Sequence, residues 1–239
     1  MEIVYGVHPV REVLRAGRRT VFTLHYATDS EQRLSEIITL AKSGKVTLRP
    51  TGKKELGKLA DGAVHQGVVV EVAPIMFLDI YDFIAKCASS GEKPVIAVLD
   101  SIVDPHNFGA ILRSAEVFGV AGVIFPKERS AEINSTVVKT SAGATEYLDF
   151  CRVTNIARTI EELKENGFYV VSADADGEEN LSSFAPRYPM AVVLGSEESG
   201  VRPLVKKTCD GILRIDVKGK VDSLNVSTAA AVIFYALTK

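Results

Sequence analysis

Three polar segments of this 239-residue chain contain side chains that could bind a phosphorylated substrate and assist a proton transfer. The first holds Asn107 and, six residues later, Arg113; the second holds Glu197; the third holds Ser223 and Asn225. An arginine offers a planar fork of donors that matches phosphate oxygens, and a carboxylate, a hydroxyl or an amide can orient a reacting group. Taken singly, Asn107 or Ser223 could simply cap a helix, and Arg113 could be a surface arginine.

Each polar segment follows a short apolar run that is typical of a strand buried on both faces of a parallel sheet. Five such runs occupy 95–99, 122–125, 169–173, 190–194 and 211–215. Helical patterns lie between or after these runs, at 107–118, 154–166 and 224–237. The alternation predicts an α/β fold with a mostly parallel sheet. Because ligands bind beyond the carboxyl ends of such strands, the three polar segments should meet in one site.

The chain lacks the motifs that identify several other kinds of site. No GxGxxG sequence follows a strand, and neither a GxxxxGK[ST] loop nor a GxSxG nucleophile turn is present. The acidic stretch at 174–176 precedes Gly177 and is interpreted as a solvated turn. The three polar segments therefore remain the candidate site.

The same three segments resemble the motifs of a known family. Residues 104–115 (DPHNFGAILRSA), 194–200 (LGSEESG) and 223–227 (SLNVS) are similar, in order, to motifs one, two and three of the SpoU family of RNA 2′-O-methyltransferases. Residues 5–10 (YGVHPV) and 65–67 (HQG) resemble the family's substrate-binding domain, which has a ribosomal-protein-like fold. The resemblance covers nearly the whole chain. It implies methyl transfer from S-adenosylmethionine to a ribose 2′-hydroxyl of RNA, with a guanosine of 23S rRNA as the expected target.

The resemblance also implies roles for individual residues. It assigns catalysis to Arg113, Asn107, Glu197, Ser223 and Asn225, and cofactor binding to Leu194, Gly195, Glu197, Ile215 and Leu224. The family often uses the arginine as the general base, yet an arginine in a protein is effectively always protonated. We therefore expect Arg113 to bind the RNA phosphate and to stabilise the developing alkoxide, while the identity of the base stays open.

Two positions depart from the family pattern. Glu198 stands where motif two usually has glycine, and Asp216-Val217 replaces a common Pro-Met pair. Both positions fall in the loops expected to hold the cofactor, so the details of that pocket should differ in this chain.

The resemblance has consequences for architecture as well. The family's catalytic domain has a trefoil knot at its C-terminal end, which is a rare exception to the rule against threaded loops. Its members are homodimers with the knot region at the interface. The same knot and the same assembly are expected here.

The chain is expected to divide into an RNA-binding domain at 1–73, a linker at 74–93 and a knotted methyltransferase domain at 94–239. Residues 1–72 carry eleven Lys/Arg and eight Asp/Glu, a net charge of +3, whereas the remainder of the chain carries −5. Salt-dependent phosphate contacts are therefore assigned to the basic residues of the first domain. They are Arg11, Arg15, Arg18, Arg19, Lys53 and Lys54, with Lys58 beside them.

Composition limits the remaining possibilities. The three cysteines are far apart in sequence, which fits a reducing cytoplasm, and the four histidines lack metal-ligand spacing, so no metal is expected. No signal segment precedes the first strand, and no apolar run is long enough to span a bilayer, so a soluble protein is expected. A tRNA ribose methyltransferase and a non-catalytic RNA-binding protein remain as alternatives.

Overall fold

The computed structural model describes residues 1–197, 199–221 and 223–239, and the chain folds into two compact units. The first unit comprises Met1–Met76 and Glu132–Tyr147, and the second comprises Phe77–Ala131 and Leu148–Lys239. The chain therefore passes between the units three times. Within the described ranges, no helix is long and apolar enough to cross a membrane.

The first unit contains a four-stranded sheet with helices on both faces. Its strands β1 (Glu2–Tyr5), β2 (Val21–Tyr26), β3 (Thr47–Pro50) and β4 (Val68–Val72) lie in the order β1-β4-β2-β3, and its helices are α1 (Val7–Ala16), α2 (Ser35–Ser43) and α3 (Lys53–Leu59). Only β2 and β3 pair in parallel. Val10 and Ile37 pack α1 and α2 onto the face that holds Val70, and Leu56 packs α3 onto the face that holds Val69.

The sequence predicted most but not all of these elements. Residues 21–27, 46–49 and 67–72 are rich in β-branched and other apolar side chains, which predicts strands, and the structure confirms all three to within about a residue or two. Asp29 and Ser30 could cap a helix in the sequence, but the helix begins only at Ser35, because Thr28–Ser30 forms a short 3₁₀ turn first. β1 and α3 were not anticipated.

A segment from the second half of the chain completes the first unit. Residues 132–147 include helix α6 (Ser135–Thr140), and Val138 of this helix is buried in the same core as Val4 and Val10. Glu146 is buried too, and it accepts hydrogen bonds from Arg19 Nε at 2.9 Å and Arg19 Nη2 at 2.5 Å. The domain boundaries expected at 73 and 94 place residues 132–147 in the C-terminal domain, whereas the structure places them in the first unit.

The second unit contains a seven-stranded parallel sheet within the described residues, and the predicted fold class is confirmed. Its strands lie in the order β7-β6-β5-β10-β8-β11-β9, and every pair of neighbours is parallel. The strands are β5 (Val95–Asp100), β6 (Gly122–Pro126), β7 (Phe150–Val153), β8 (Tyr169–Ala173), β9 (Glu179–Asn180), β10 (Met190–Gly195) and β11 (Gly211–Arg214). The helices that follow strands are α5 (Pro105–Val117), α7 (Ile156–Glu165), α8 (Pro203–Thr208) and α9 (Val226–Leu237).

The segment expected to be a linker, 74–93, belongs to the second unit from Phe77 onward. It contains α4 (Ile80–Ala88), on which Phe83 is fully buried. The ring of Phe83 lies so close to Gly122 that a Cβ there would be 2.6 Å from it. An amphipathic helix has the same sequence pattern whether it packs on a domain or connects two domains. The sequence therefore did not reveal the contact between Phe83 and Gly122.

Candidate active site

A cavity of about 230 Å³ opens at the carboxyl ends of β8, β10 and β11, beside the start of α9. The five residues assigned to cofactor binding all line this cavity: Leu194, Gly195, Glu197, Ile215 and Leu224. Ser223 lines it as well. Much of the remaining wall is apolar, with Leu181, Leu213, Val226 and Ile233 among its members. An apolar cavity with a few polar groups is typical of a site for a small organic ligand.

The sequence missed one wall of this cavity, which the loop after β8 provides. Asp174 lines the cavity, and its carboxylate lies 2.9 Å from Nζ of Lys206. The interpretation of 174–176 as a solvated turn is therefore correct for the exposed Asp176 and wrong for Asp174. Asp174 directly follows a buried parallel strand, and this position could have identified it as a residue of the site.

Lys206 contacts Asp174 and Asp176 of that loop. Burial lowers the pKa of the Lys206 ammonium, but hydrogen bonds to Asp176 and Asp174 outweigh burial and raise the pKa above its usual value. The hydrogen bond from Lys206 also lowers the pKa of Asp176. Lys206 and Asp176 are thus both ionised at neutral pH.

The loop of motif two requires its glycines. A Cβ on Gly195 would lie 2.0 Å from the carbonyl carbon of Gly200, because the two backbones cross there. The backbones of Ser196 and Gly200 exchange hydrogen bonds of 2.9 and 3.2 Å. Gly200 itself has φ of +62°, a conformation that other residues rarely adopt.

An ion pair between the partly exposed Arg202 and a buried carboxylate holds the same loop against the end of β5. Asp100 is fully buried and accepts hydrogen bonds from Arg202 through the backbone nitrogen at 3.1 Å and Nε at 2.8 Å. Arg202 Nη2 also lies 2.6 Å from Asp100. Since Asp100 begins the segment that leads to motif one, this pair keeps motifs one and two adjacent.

Hydrogen bonds connect one residue from each of the three motifs. Asn107 donates from Nδ2 to Oε1 of Glu197 and accepts at Oδ1 from Nδ2 of Asn225 at 3.1 Å. Asn225 also caps α9 by accepting from the backbone of Ser227 at 2.9 Å. The cap of α5 is Asp104, so Asn107 is not required for that role. Three of the five residues assigned to catalysis are therefore in direct contact.

The two other residues assigned to catalysis lie apart from this contact. Arg113 is exposed on α5, roughly 9 Å along the helix from Asn107 at 1.5 Å per residue, and it makes no hydrogen bond or ion pair with any described residue. Ser223 lines the cavity. Glu198, which departs from the family pattern, lies outside the described residues, as does Asp222.

Cysteine is not a plausible nucleophile in this unit. Burial raises the pKa of the Cys87 thiol to about 12, that of Cys151 to about 11 and that of Cys209 to about 12. These thiols stay protonated at neutral pH, and the thiolate is the reactive form. No group of three or more His, Cys, Asp or Glu residues in the described ranges is placed to hold a metal ion.

The basic residues assigned to RNA binding have different environments in the first unit. The assignment of Arg19 to RNA binding is wrong. Its side chain is 5% exposed, and its donors are occupied by Glu146, Glu2 and the carbonyl of Ala73. A buried guanidinium with these partners cannot contact an RNA phosphate. Arg19 therefore has a structural role.

Two arginines of α1 are exposed or half-buried but paired with acidic side chains. Arg15 lies 2.6 Å from Glu36, and Arg11 lies 3.0 Å from Glu12. Burial raises the pKa of Glu12, but hydrogen bonds from Tyr147 and Arg11 lower it overall, so Glu12 stays ionised. Lys53 lies 2.6 Å from Asp29, whereas Lys54 and Lys58 are exposed and form no ion pair with a described residue; Arg18 is also exposed.

Comparison with known proteins gives matches for both parts of the chain. Residues 94–235 match the model of the SpoU rRNA Methylase family, and residues 3–78 match the model described as RNA 2′-O ribose methyltransferase substrate binding. The YacO protein of Bacillus subtilis (strain 168), whose name assigns it to the TrmH family of tRNA/rRNA methyltransferases, is 37% identical over 98% of this chain and 94% of its own.

Solved structures share the fold. SpoU methyltransferase AviRb from Streptomyces viridochromogenes, in complex with the cofactor AdoMet, has a TM-score of 0.82 at 23% identity over 99% of this chain and 88% of its own. The AdoMet-bound rRNA methyltransferase from Sinorhizobium meliloti has a TM-score of 0.80 at 20% identity over 99% and 86%. The TrmH/SpoU tRNA modifying enzyme of A. aeolicus has a TM-score of 0.56 at 26% identity and covers 66% of this chain and 80% of its own. The chain therefore belongs to the SpoU family of RNA methyltransferases.

Proposed function

We propose that the protein transfers the methyl group of S-adenosylmethionine to the ribose 2′-hydroxyl of an RNA nucleotide, with a guanosine of 23S rRNA as the favoured target. One observation carries the proposal: residues of all three motifs are hydrogen-bonded at the cavity that the expected cofactor residues line. The AdoMet-bound relatives support the same cofactor here.

The lining of the cavity suits S-adenosylmethionine chemically. Leu194, Ile215 and Leu224 offer apolar surface for an adenine ring, and the carboxylates of Asp174 and Glu197 offer negative charge to a ligand with a sulfonium and an ammonium. When bound, this cofactor supplies a methyl group that its positive sulfur already activates. The main task of the protein is then to position the ribose hydroxyl.

The residues of the three motifs would share that task. The contacts of Asn107 with Glu197 and Asn225 fix the orientation of its amide and hold Glu197 at the cavity. Oε2 of Glu197 makes no hydrogen bond to a described residue, so it is available to accept one from a ribose hydroxyl. Arg113 would bind phosphate and offset the charge that develops on the oxygen. The general base is left unassigned.

Two comparisons favour rRNA over tRNA as the substrate. The rRNA methyltransferase from Sinorhizobium meliloti matches 99% of this chain, a length that includes the first unit, whereas the A. aeolicus tRNA modifying enzyme matches 66%. The test is transfer of labelled methyl groups to 23S rRNA from a strain that lacks this enzyme, followed by mapping of the alkali-resistant linkage. Label at one guanosine ribose is expected. Label in tRNA alone would favour the tRNA alternative, and RNA binding without transfer would favour a non-catalytic protein.

The charge environments of the first unit predict which lysines contact RNA. Lys54 and Lys58 occupy positions i and i+4 of α3, a like-charge arrangement that costs helix stability and that a phosphate would relieve. The double variant Lys54→Ala/Lys58→Ala should bind RNA more weakly. The slope of log affinity against log salt concentration should decrease in magnitude by roughly 1.5. Arg15→Ala is the matched control, since Arg15 is already paired with Glu36. A larger change in slope for the control than for the double variant would reverse this assignment.

The knot, the homodimer and a cytoplasmic location are proposed on the family resemblance, and surface chemistry supports the dimer. Val117, Val232 and Tyr235 are 63%, 40% and 54% exposed on α5 and α9, which pack against each other. Adjacent exposed apolar residues mark an interaction surface. Sedimentation at micromolar concentration should show a dimer, and Val232→Glu should shift it toward monomer. A monomeric wild-type protein would exclude this assembly.

A further inference from the structure

One side of the cofactor cavity is a loop with little regular structure. Residues Ala173, Asp174, Ala175 and Leu181 line the cavity, yet the only strand between 174 and 181 is the two-residue β9 at the edge of the sheet. Its register joins Glu179 to Leu213 and Asn180 to Arg214 of β11. Main-chain hydrogen bonds of 2.9 Å from Asp174 to Leu213 and from Leu181 to Arg214 join the ends of the loop to β11, and side chains add contacts between these ends.

Three side chains connect the 174–181 loop with the end of β11 and the segment that follows it. Arg214 donates from Nη1 to the carbonyl oxygens of Gly177 and Glu178, both at 2.9 Å, and its Nε lies 3.2 Å from Oδ1 of Asp216. Asn180 donates from Nδ2 to Oδ2 of the same carboxylate. Asp216 thus links the side chain of β9 to the side chain of β11, and we call Asn180, Arg214 and Asp216 the wall cluster.

The wall cluster connects two segments that both line the cavity. Leu213, Arg214, Ile215 and Val217 line it from β11 and the segment after it, next to the loop that contains β9. At the far end of the loop, Lys206 already holds Asp174 and Asp176. Without the wall cluster, the 177–181 part of the loop would lose three side-chain hydrogen bonds and keep its main-chain pairing with β11.

We propose that Asp216 is a positioning residue that, through Arg214 and Asn180, fixes the 174–181 wall of the cavity and thereby sets the affinity for S-adenosylmethionine. The inference rests on the proposed function, since it assumes this cofactor. It also accounts for a departure from the family pattern: the carboxylate of Asp216, at a position where the family commonly has proline, restrains the chain through side-chain hydrogen bonds.

The wall cluster is partly exposed, and this predicts which quantities change. The side chains of Arg214 and Asp216 are 36% and 53% exposed, and ion pairs at such sites contribute little to global stability. Loss of Asp216 should therefore loosen the loop without unfolding the unit. The contact of Asn107 with Glu197 does not involve the cluster, so the chemical step should not change.

The test compares Asp216→Ala and Asn180→Ala with Arg158→Ala, which removes the exposed arginine of an arginine–glutamate pair on α7 away from the cavity. Calorimetry should show cofactor affinity roughly tenfold weaker for Asp216→Ala, the effect of losing hydrogen bonds to a charged group. In the same variant the KM for cofactor should rise while kcat at saturation is kept, and the amides of 175–181 should exchange faster in the free protein. Arg158→Ala should match wild type.

A double-mutant cycle distinguishes the cluster from two separate effects. Asp216→Ala/Asn180→Ala should weaken binding little more than Asp216→Ala alone, because both act through one carboxylate. Wild-type affinity and exchange rates for Asp216→Ala, or a fall in kcat alone, would overturn the inference. Absence of any S-adenosylmethionine binding by the wild type would instead overturn the proposed function.

Discussion

Arg113→Ala is expected to lower the single-turnover rate of methylation by about 10²–10³-fold at saturating RNA and cofactor, as is typical for the loss of one preorganised donor to a developing oxyanion. Calorimetry should show unchanged binding of S-adenosylmethionine, because Arg113 is absent from the lining of the cavity. The measurement is rapid-quench methylation of the mapped RNA fragment. Saturating both ligands separates the chemical step from binding.

Arg113→Lys should fail nearly as badly as Arg113→Ala. Lysine keeps the positive charge but lacks the planar fork that can contact a phosphate and the reacting oxygen together. A role limited to phosphate binding predicts something different: weaker RNA affinity, near-normal single-turnover rates at saturation and partial rescue by lysine. Lys54→Ala serves as the matched control, since we assign that residue to RNA affinity alone. A near-wild-type rate for Arg113→Ala would remove Arg113 from the chemistry and leave Asn107 and Glu197 as its centre.

The structure explains why Arg113 is suited to this test. Its side chain makes no hydrogen bond or ion pair with a described residue, so its removal should not destabilise the second unit. Arg202 presents the opposite case, because it holds the fully buried Asp100. A loss of activity in an Arg202 variant would not distinguish chemistry from folding, whereas a loss in an Arg113 variant would.

The sequence predicted the second unit well because its signals are local. Runs such as 95–99 and 190–194 are continuously apolar and form strands buried along their whole length. Leu194 and Gly195 end one such strand and Ile215 follows another, so their positions at the cavity could be inferred from chain order. The meeting of Asn107, Glu197 and Asn225 was expected for the same reason.

Other features could not be predicted because they depend on contacts distant in sequence. Arg19 has the same sequence context as Arg18, yet Arg19 pairs with Glu146, 127 residues away. Asp216 is recognisable only as a departure from a motif until Asn180 is seen beside it. The 132–147 segment contains no signal that would separate it from the strands before and after it.

Breaking the buried pair between Arg19 and Glu146 should destabilise the first unit by about 3–5 kcal/mol, because the remaining charge is left buried without its partner. The two side chains are 5% and 1% exposed, and their closest atoms are 2.5 Å apart. Urea unfolding of Glu146→Ala and Arg19→Ala measures the effect. Arg158→Ala, which removes an exposed pair, should cost about 0.5 kcal/mol or less.

The size of the effect depends on which partner is removed. After Arg19→Ala, the buried carboxylate of Glu146 keeps, among the described side chains, a weak contact with Thr145 at 3.4 Å, whereas after Glu146→Ala, Arg19 keeps Glu2 at 2.7 Å. Arg19→Ala should therefore be the more destabilising of the two. The double variant Arg19→Met/Glu146→Leu should recover much of the loss, since an apolar pair of similar volume removes both buried charges. If all three variants unfolded like wild type, the pair would not hold the 132–147 segment.

The same pair determines how RNA recognition can be separated from catalysis in this protein. Deleting residues 1–72 would remove Arg19 and also Val4 and Val10, against which Val138 is buried. Such a fragment should expose the apolar face of α6 and leave Glu146 without a counter-ion, so it should aggregate or bind a hydrophobic dye rather than behave as a catalytic domain. A fragment that stayed monomeric and bound cofactor with wild-type affinity would show instead that the 132–147 segment folds without the first unit.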